Sequence, residues 1–252
     1  MTTDEPLRPA ARVEIHPDPE TLAVTVAGAL LGRIAEAQEA GREVHVALTG
    51  GTIADLVHRE VARHHSGDVP DVRPVDWDRV HVWWGDERFV ETGSPERNAR
   101  QAREAFLDEV GASHVHEVPA SDQVADAEAA AASYSETVRE HGSGEFDVVM
   151  LGVGPDGHVA SLFPGHPALE VDDRIAVAVH DSPKPPPDRV SLTFSALNRA
   201  RSVWFLVSGE GKAEAVARAL ADSGSLHDTP ARGVLGREET IWFLDTPAAS
   251  AL

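Results

Sequence analysis

The chain has 252 residues, no cysteine, and 42 Asp and Glu against 22 Lys and Arg, for a formal net charge of −20. A chain of this length buries a substantial core without staples, and the missing cysteine excludes disulfides, thiolate zinc sites and a cysteine nucleophile. The acidic balance excludes nucleic acid and anionic membrane surfaces as default partners.

Residues 1–11 are polar and proline-containing and read as a flexible tail, which leaves 12–252 as one α/β domain. Val13–His16 suits a short strand, and Pro17–Gly41 a helix with Leu22, Val26, Leu30, Leu31 and Ile34 on one face. A strand over Glu43–Thr49 runs into Gly50-Gly51-Thr52, followed by a helix over Ile53–His65. The next strand, Arg79–Trp84, ends in Gly85-Asp86-Glu87-Arg88, and a helix is expected from about Pro95 to Val110. His114–Val118 is a candidate short strand and Ala125–His141 an alanine-rich helix. Phe146–Leu151 is a continuous apolar strand before a glycine-rich loop. Ile175–Val179, Val190–Thr193, Val203–Val207 and Thr240–Leu244 are further strands, with a helix over Gly211–Ala221. There is no signal-peptide pattern and no apolar run near the ~20 residues of a membrane span, so a cytoplasmic location is expected.

Strands apolar on both faces and separated by helices predict a Rossmann-like, mostly parallel sheet with helices on both sides. Ligands of such sheets bind beyond the carboxyl ends of the strands. Three loops leave strands there: Thr49–Thr52, Gly85–Arg88 and Gly152–His158. All three are expected to open onto one crevice.

Each loop has a chemical reading and a plainer one. Gly50 and Gly51 let backbone approach an anion at a helix N-terminus and Thr52 adds a hydroxyl, although such turns also recur with no ligand. Arg88 can fork onto a phosphate or carboxylate, with Asp86 and Glu87 placed to hold it, or all three can be solvated loop charges. Gly152–Gly157 contains GxGxxG, but Pro164 and Pro167 break the long helix that a dinucleotide loop requires. The same glycines can instead expose Asp156 and His158. A histidine of ordinary pKa, about 6.5, suits a general base at neutral pH, yet a lone histidine is often structural. Lys184, in a segment stiffened by Pro183, Pro185, Pro186 and Pro187, is one of two lysines in a chain with 20 arginines. Its retention suggests that a compact ammonium is needed there. The other, Lys212, reads as a solvated charge. His114 and His116 share a strand face, a possible metal pair but more often coincidence.

Taken together, these segments resemble the 6-phosphogluconolactonases. The matching stretches are 47–52 (ALTGGT), 82–90 (VWWGDERFV), 146–169 (FDVVMLGVGPDGHVASLFPGHPAL), 182–200 (SPKPPPDRVSLTFSALNRA) and 204–216 (WFLVSGEGKAEAV). They occur in the family's order and cover most of the chain from residue 43 to about 245.

The resemblance implies a fold shared with glucosamine-6-phosphate deaminases and ribose-5-phosphate isomerases. It also implies hydrolysis of 6-phosphoglucono-δ-lactone in the oxidative pentose phosphate pathway, with neither cofactor nor metal. His158 would be the base with Asp156 orienting it, and Gly50, Gly51, Thr52, Asp86, Arg88 and Lys184 would bind the substrate. Two departures stand out. The family's SGGSTP loop is Thr49–Ala54 here, and its Ser-Asn pair after GDER is Arg97-Asn98, where Arg97 either replaces a lost donor or lies on the surface.

An isomerase or deaminase of the same fold is the first alternative, but the deaminases' glutamate five residues after the DGH histidine is Phe163 here. A non-catalytic sugar-phosphate sensor is the second. The expected partner is a small phosphosugar lactone, and the expected state a monomer or weak homodimer. Residues 121–147 carry seven acids against one arginine, whereas 184–201 carry Lys184, Arg189, Arg199 and Arg201 against Asp188 alone. That asymmetry predicts cations gathered at the crevice.

Overall fold

The computed structural model describes residues 9–67 and 73–252; of the expected N-terminal tail, residues 1–8 lie outside them. The chain opens with β1 (Arg12–His16), α1 (Pro19–Glu39), β2 (Val44–Leu48) and α2 (Thr52–His65). β3 (Val80–Trp84) and β4 (Asp86–Arg88) follow, then α3 (Asn98–Ala102), which passes through a π-helical turn, Arg103–Leu107, into α4 (Asp108–Val110). Next come β5 (His114–Val115), α5 (Ala127–His141), β6 (Val148–Gly152), β7 (Ala176–Val179) and β8 (Arg189–Leu192). The chain closes with α6 (Phe194–Leu197), β9 (Ser202–Val207), α7 (Ala213–Leu220) and β10 (Glu239–Asp245).

Seven strands form one sheet in the order β1-β10-β9-β6-β2-β3-β5, with every neighbouring pair parallel. Its interior strands bury both faces. Val46, Leu48, Val82, Trp84, Met150, Leu206 and Phe243 face a core against α1, α2 and α3. Their alternates Ala47, Trp83, Val149, Leu151, Phe205 and Trp242 face a second core shared with α5 and α7. This alternation on a doubly covered sheet is why the strands read as unbroken apolar runs.

Local signals set the helix starts. Asp18 caps α1 by accepting from the Thr21 amide at 2.7 Å with Pro19 in the first turn, so the helix begins two residues later than its periodicity suggests. Asp126 caps α5 in the same way, accepting from the Ala129 amide at 2.8 Å.

The sheet differs from the sequence expectation in one respect. β4, β8 and β7 form a separate three-stranded antiparallel sheet rather than extending the parallel one. The break lies at Trp84, where the Tyr134 hydroxyl accepts from the Trp84 amide at 2.9 Å and donates to its carbonyl at 3.0 Å. One side chain thus holds both backbone groups of the residue at which β3 ends. Gly85 then donates to the Leu48 carbonyl of the large sheet and accepts from the Leu192 amide of the small one.

Tyr134→Phe is expected to destabilise the fold by about 2–4 kcal/mol, because two buried backbone groups lose the hydroxyl that both of them bond. Urea unfolding followed by far-UV circular dichroism measures this; a midpoint within error of the parent chain rejects that role for the hydroxyl.

Candidate active site

A cavity of about 710 Å³ opens beyond the carboxyl ends of β2, β6 and β9, and the small sheet walls its other side. Thr49–Thr52, Asp86, Arg88, Gly152–Gly154, His158, Lys184, Arg189 and Lys212 all contribute to its lining. The three loops expected to meet therefore do meet, and the expected site residues that border the cavity include His158, Arg88 and Lys184.

Gly51, at φ +103°, is the N-cap of α2 and leaves the first-turn amides without a side-chain partner. Such amides and the helix dipole favour an anion. Gly50 is required for a different reason: a Cβ there would overlap Asn98 Oδ1 and come within 3.2 Å of Arg88 Nη1. Its lack of a side chain lets that pair close against the turn.

The Arg88 guanidinium donates to the Asn98 side-chain oxygen and to the Glu96 carbonyl at 3.1 Å. Asn98 Nδ2 in turn donates to the Asp86 carbonyl at 2.9 Å. This corrects the expectation that the neighbouring acids grip the guanidinium. Asp86 is buried and accepts from Ser161 Oγ at 2.7 Å. Glu87 accepts the amides of Arg88, Asn98 and Ala99, each at 2.8 Å. Burial pushes the Glu87 carboxyl up to about 7, against the pull of Arg97 and those amides. Arg97 neither borders the cavity nor lies on the surface: it is 1% exposed, donating to the Val118 carbonyl at 2.7 Å beside Glu117.

After β6 the chain makes short bridges, Val153 with Val159 and Val159 with Leu162, instead of a helix. Gly152–Gly157 thus lacks the helix N-terminus of a dinucleotide loop. What the loop does hold is a dyad, with His158 Nδ1 at 2.6 Å from Asp156 Oδ1. Burial pushes the Asp156 carboxyl up, but His158 and, more weakly, Lys184 outweigh it and hold it well below the usual carboxylate range. The His158 ring packs on Phe163 at 4.6 Å between centroids. A Cβ at Gly154 would overlap both the ring and the carboxylate, so this glycine makes room for the dyad.

Lys212 is the residue that sequence reasoning missed. Its ammonium donates to the Val153 carbonyl at 2.6 Å and borders the cavity. Burial, then the charge of Lys184, lowers its pKa. The signal was available, since scarcity singles out Lys212 as much as Lys184. Charge clustering, by contrast, misplaced two cations. Arg199 and Arg201 precede β9, at the opposite end of the sheet, where Arg201 pairs with Glu145 and Glu238. Among the described residues the Lys184 ammonium has neither hydrogen bond nor ion pair to the protein, so it is available to a ligand.

The family model for glucosamine-6-phosphate isomerases/6-phosphogluconolactonase matches residues 17–242. A 6-phosphogluconolactonase of Streptomyces coelicolor is 44% identical over 249 residues, covering 94% of this chain and 93% of its own. The 6-phosphogluconolactonase of Mycobacterium tuberculosis is 40% identical over 96% of this chain and 99% of its own. Among solved structures, the 6-phosphogluconolactonase of Thermotoga maritima superposes with a TM-score of 0.81 at 28% identity, covering 94% of this chain and all of that one. The matched region spans every loop that lines the cavity, and the chain belongs to the glucosamine-6-phosphate isomerase/6-phosphogluconolactonase family.

Proposed function

We propose that the chain hydrolyses 6-phosphoglucono-δ-lactone to 6-phosphogluconate, as a step of the oxidative pentose phosphate pathway. The observation that carries this reading is the Asp156–His158 dyad, set in a cavity bordered by Arg88, Lys184 and Lys212. Asp156, held ionised, accepts a hydrogen bond from His158 Nδ1–H, the tautomer in which Nε2 carries the free lone pair. That nitrogen takes a proton from water as the oxygen attacks the lactone carbonyl carbon. The imidazolium then protonates the ring oxygen as the C–O bond breaks, and the open acid ionises. General-base help of this kind supplies about 10²–10⁴-fold.

Proximity supports a division of labour among the cations. Arg88 lies against the Gly50 turn, where the α2 amides complete a seat for the phosphate dianion. Lys184 and Lys212 lie within electrostatic reach of Asp156, so their charges serve the carbonyl oxygen as it becomes an oxyanion. Such stabilisation is worth about 10²–10³-fold in rate.

The lactone also opens spontaneously, so the test is a rapid-mixing assay on freshly generated substrate. Clear acceleration over the blank is expected, with no ammonia released from glucosamine-6-phosphate. A rate equal to the blank rejects the proposal.

A further inference from the structure

Arg189 was expected only as one cation of a basic segment, yet it is 5% exposed and borders the cavity. Its guanidinium reaches back over the proline-rich segment. Nη2 donates to the carbonyls of Lys184 at 3.0 Å and Pro185 at 3.1 Å, and Nε donates to that of Pro186 at 3.2 Å. Ser182 Oγ donates to the same Lys184 carbonyl at 2.9 Å. Prolines supply no amide of their own, so apart from the Ser182 amide, which donates to the Pro187 carbonyl at 3.0 Å and closes the segment, its inner carbonyls are held by one planar donor fork.

The position of Arg189 breaks a local rule. In the β4–β8 pairing it stands directly opposite Arg88, and two like charges facing each other across antiparallel strands are unfavourable. Burial and the charge of Arg88 both lower its pKa, while Asp86 opposes them. Its charge lies 5.7 Å from the centroid of Phe163, the ring that packs on His158. A cation kept under these costs marks a functional constraint more readily than a stabilising one.

We infer that Arg189 is a positioning residue: it fixes the backbone that carries Lys184 and so aims the Lys184 ammonium into the cavity. The inference rests on the proposed lactonase reading for its choice of substrate, but the clamp itself does not depend on which ligand the cavity takes. Arg189→Lys keeps the charge and most of the stem and loses the fork.

The test is a double-mutant cycle of Arg189→Lys with Lys184→Ala. It is read on kcat and KM for the phospholactone and on the dissociation constant of 6-phosphogluconate by calorimetry. Arg189→Lys alone should cost about tenfold, in the same parameter that Lys184→Ala moves, and less than about twofold once residue 184 is alanine. An equal loss in both backgrounds overturns the inference, because Arg189 then acts independently of Lys184. No loss in the single variant overturns it as well. Arg189→Gln runs through the same cycle if the lysine variant does not fold. A chain that shows the coupling in binding but no lactonase rate rejects the proposed function and keeps the clamp.

Discussion

Replacing His158 with alanine is expected to lower kcat by about 10²–10⁴-fold while KM stays within about threefold. The asymmetry follows from where the ring sits. His158 meets Asp156 through Nδ1 and Phe163 through its face, whereas the proposed phosphate seat lies at the Gly50 turn beside Arg88. Removing the ring should therefore remove the proposed proton transfer and leave the proposed anchor in place. Asp156→Asn tests the same dyad from the other side. An amide can donate to Nδ1, which shifts the ring proton to Nε2 and leaves no base facing water, so kcat falls although the ring remains. Because the two residues act as a unit, the double variant should be little worse than His158→Ala alone. Stopped-flow rates corrected for spontaneous hydrolysis give the answer. A near-parental kcat in His158→Ala eliminates it as the base, and fully additive losses eliminate the dyad.

Much of this site is legible in the sequence because its parts are short and local. His158 and Asp156 lie two residues apart in a loop that the apolar run before it delivers to the carboxyl edge. Gly50-Gly51-Thr52 likewise follows a strand that reads clearly. What the sequence hides is action at a distance. Asn98 reaches Arg88 from the start of a helix ten residues on, and Arg189 holds carbonyls that come before it in the chain. Lys212 meets Val153 across 59 positions. None of these contacts leaves a periodicity or a spacing.

The same limit applies to the fold. Parallel strands buried on both faces announce themselves by composition, and the large sheet follows. The small sheet does not, because the junction where β3 ends is held by a hydroxyl of Tyr134, 50 residues beyond Trp84. Arg97 illustrates the converse error. An arginine between a turn and a helix reads as a replacement donor or as a surface charge, and only packing reveals that it is buried beside Glu87 and Glu117.

Acid should unfold this protein at a higher pH than its many carboxylates alone would suggest. Three histidines are held neutral by the fold, with pKa values lowered to about 4 at His45, His58 and His116. Desolvation is the main cause in each case. His58 is buried among α2 and the following helix, 5.0 Å from the Phe106 ring, with only the charge of Asp55 opposing the shift. His45 accepts from Trp83 Nε1 at 3.2 Å and stacks on His81 at 4.5 Å, with Asp147 and Glu43 pulling the other way. His116 stacks on Trp83 at 4.0 Å and bonds His81 at 3.1 Å, facing His114 and His141 as well. The shared face of His114 and His116, noted in the sequence, thus belongs to a stacked histidine cluster.

The sign is fixed by the direction of these shifts. Above pH 6.5 each histidine is neutral in both folded and unfolded chains and stability is at its full value. As pH falls from about 6.5 towards 4, the unfolded chain takes up protons that the folded chain does not, and stability drops. For each of the two most buried, His45 and His58, a shift of this size is worth about 3 kcal/mol by pH 4. His58→Leu should leave neutral stability nearly unchanged, because the buried His58 Nε2 has no hydrogen-bond partner to lose. It should also recover about 3 kcal/mol at pH 4. Urea unfolding at pH 7.5 and at pH 4.5 checks this; parallel stability curves for the parent and the leucine variant across that range would show that His58 does not set the acid limb.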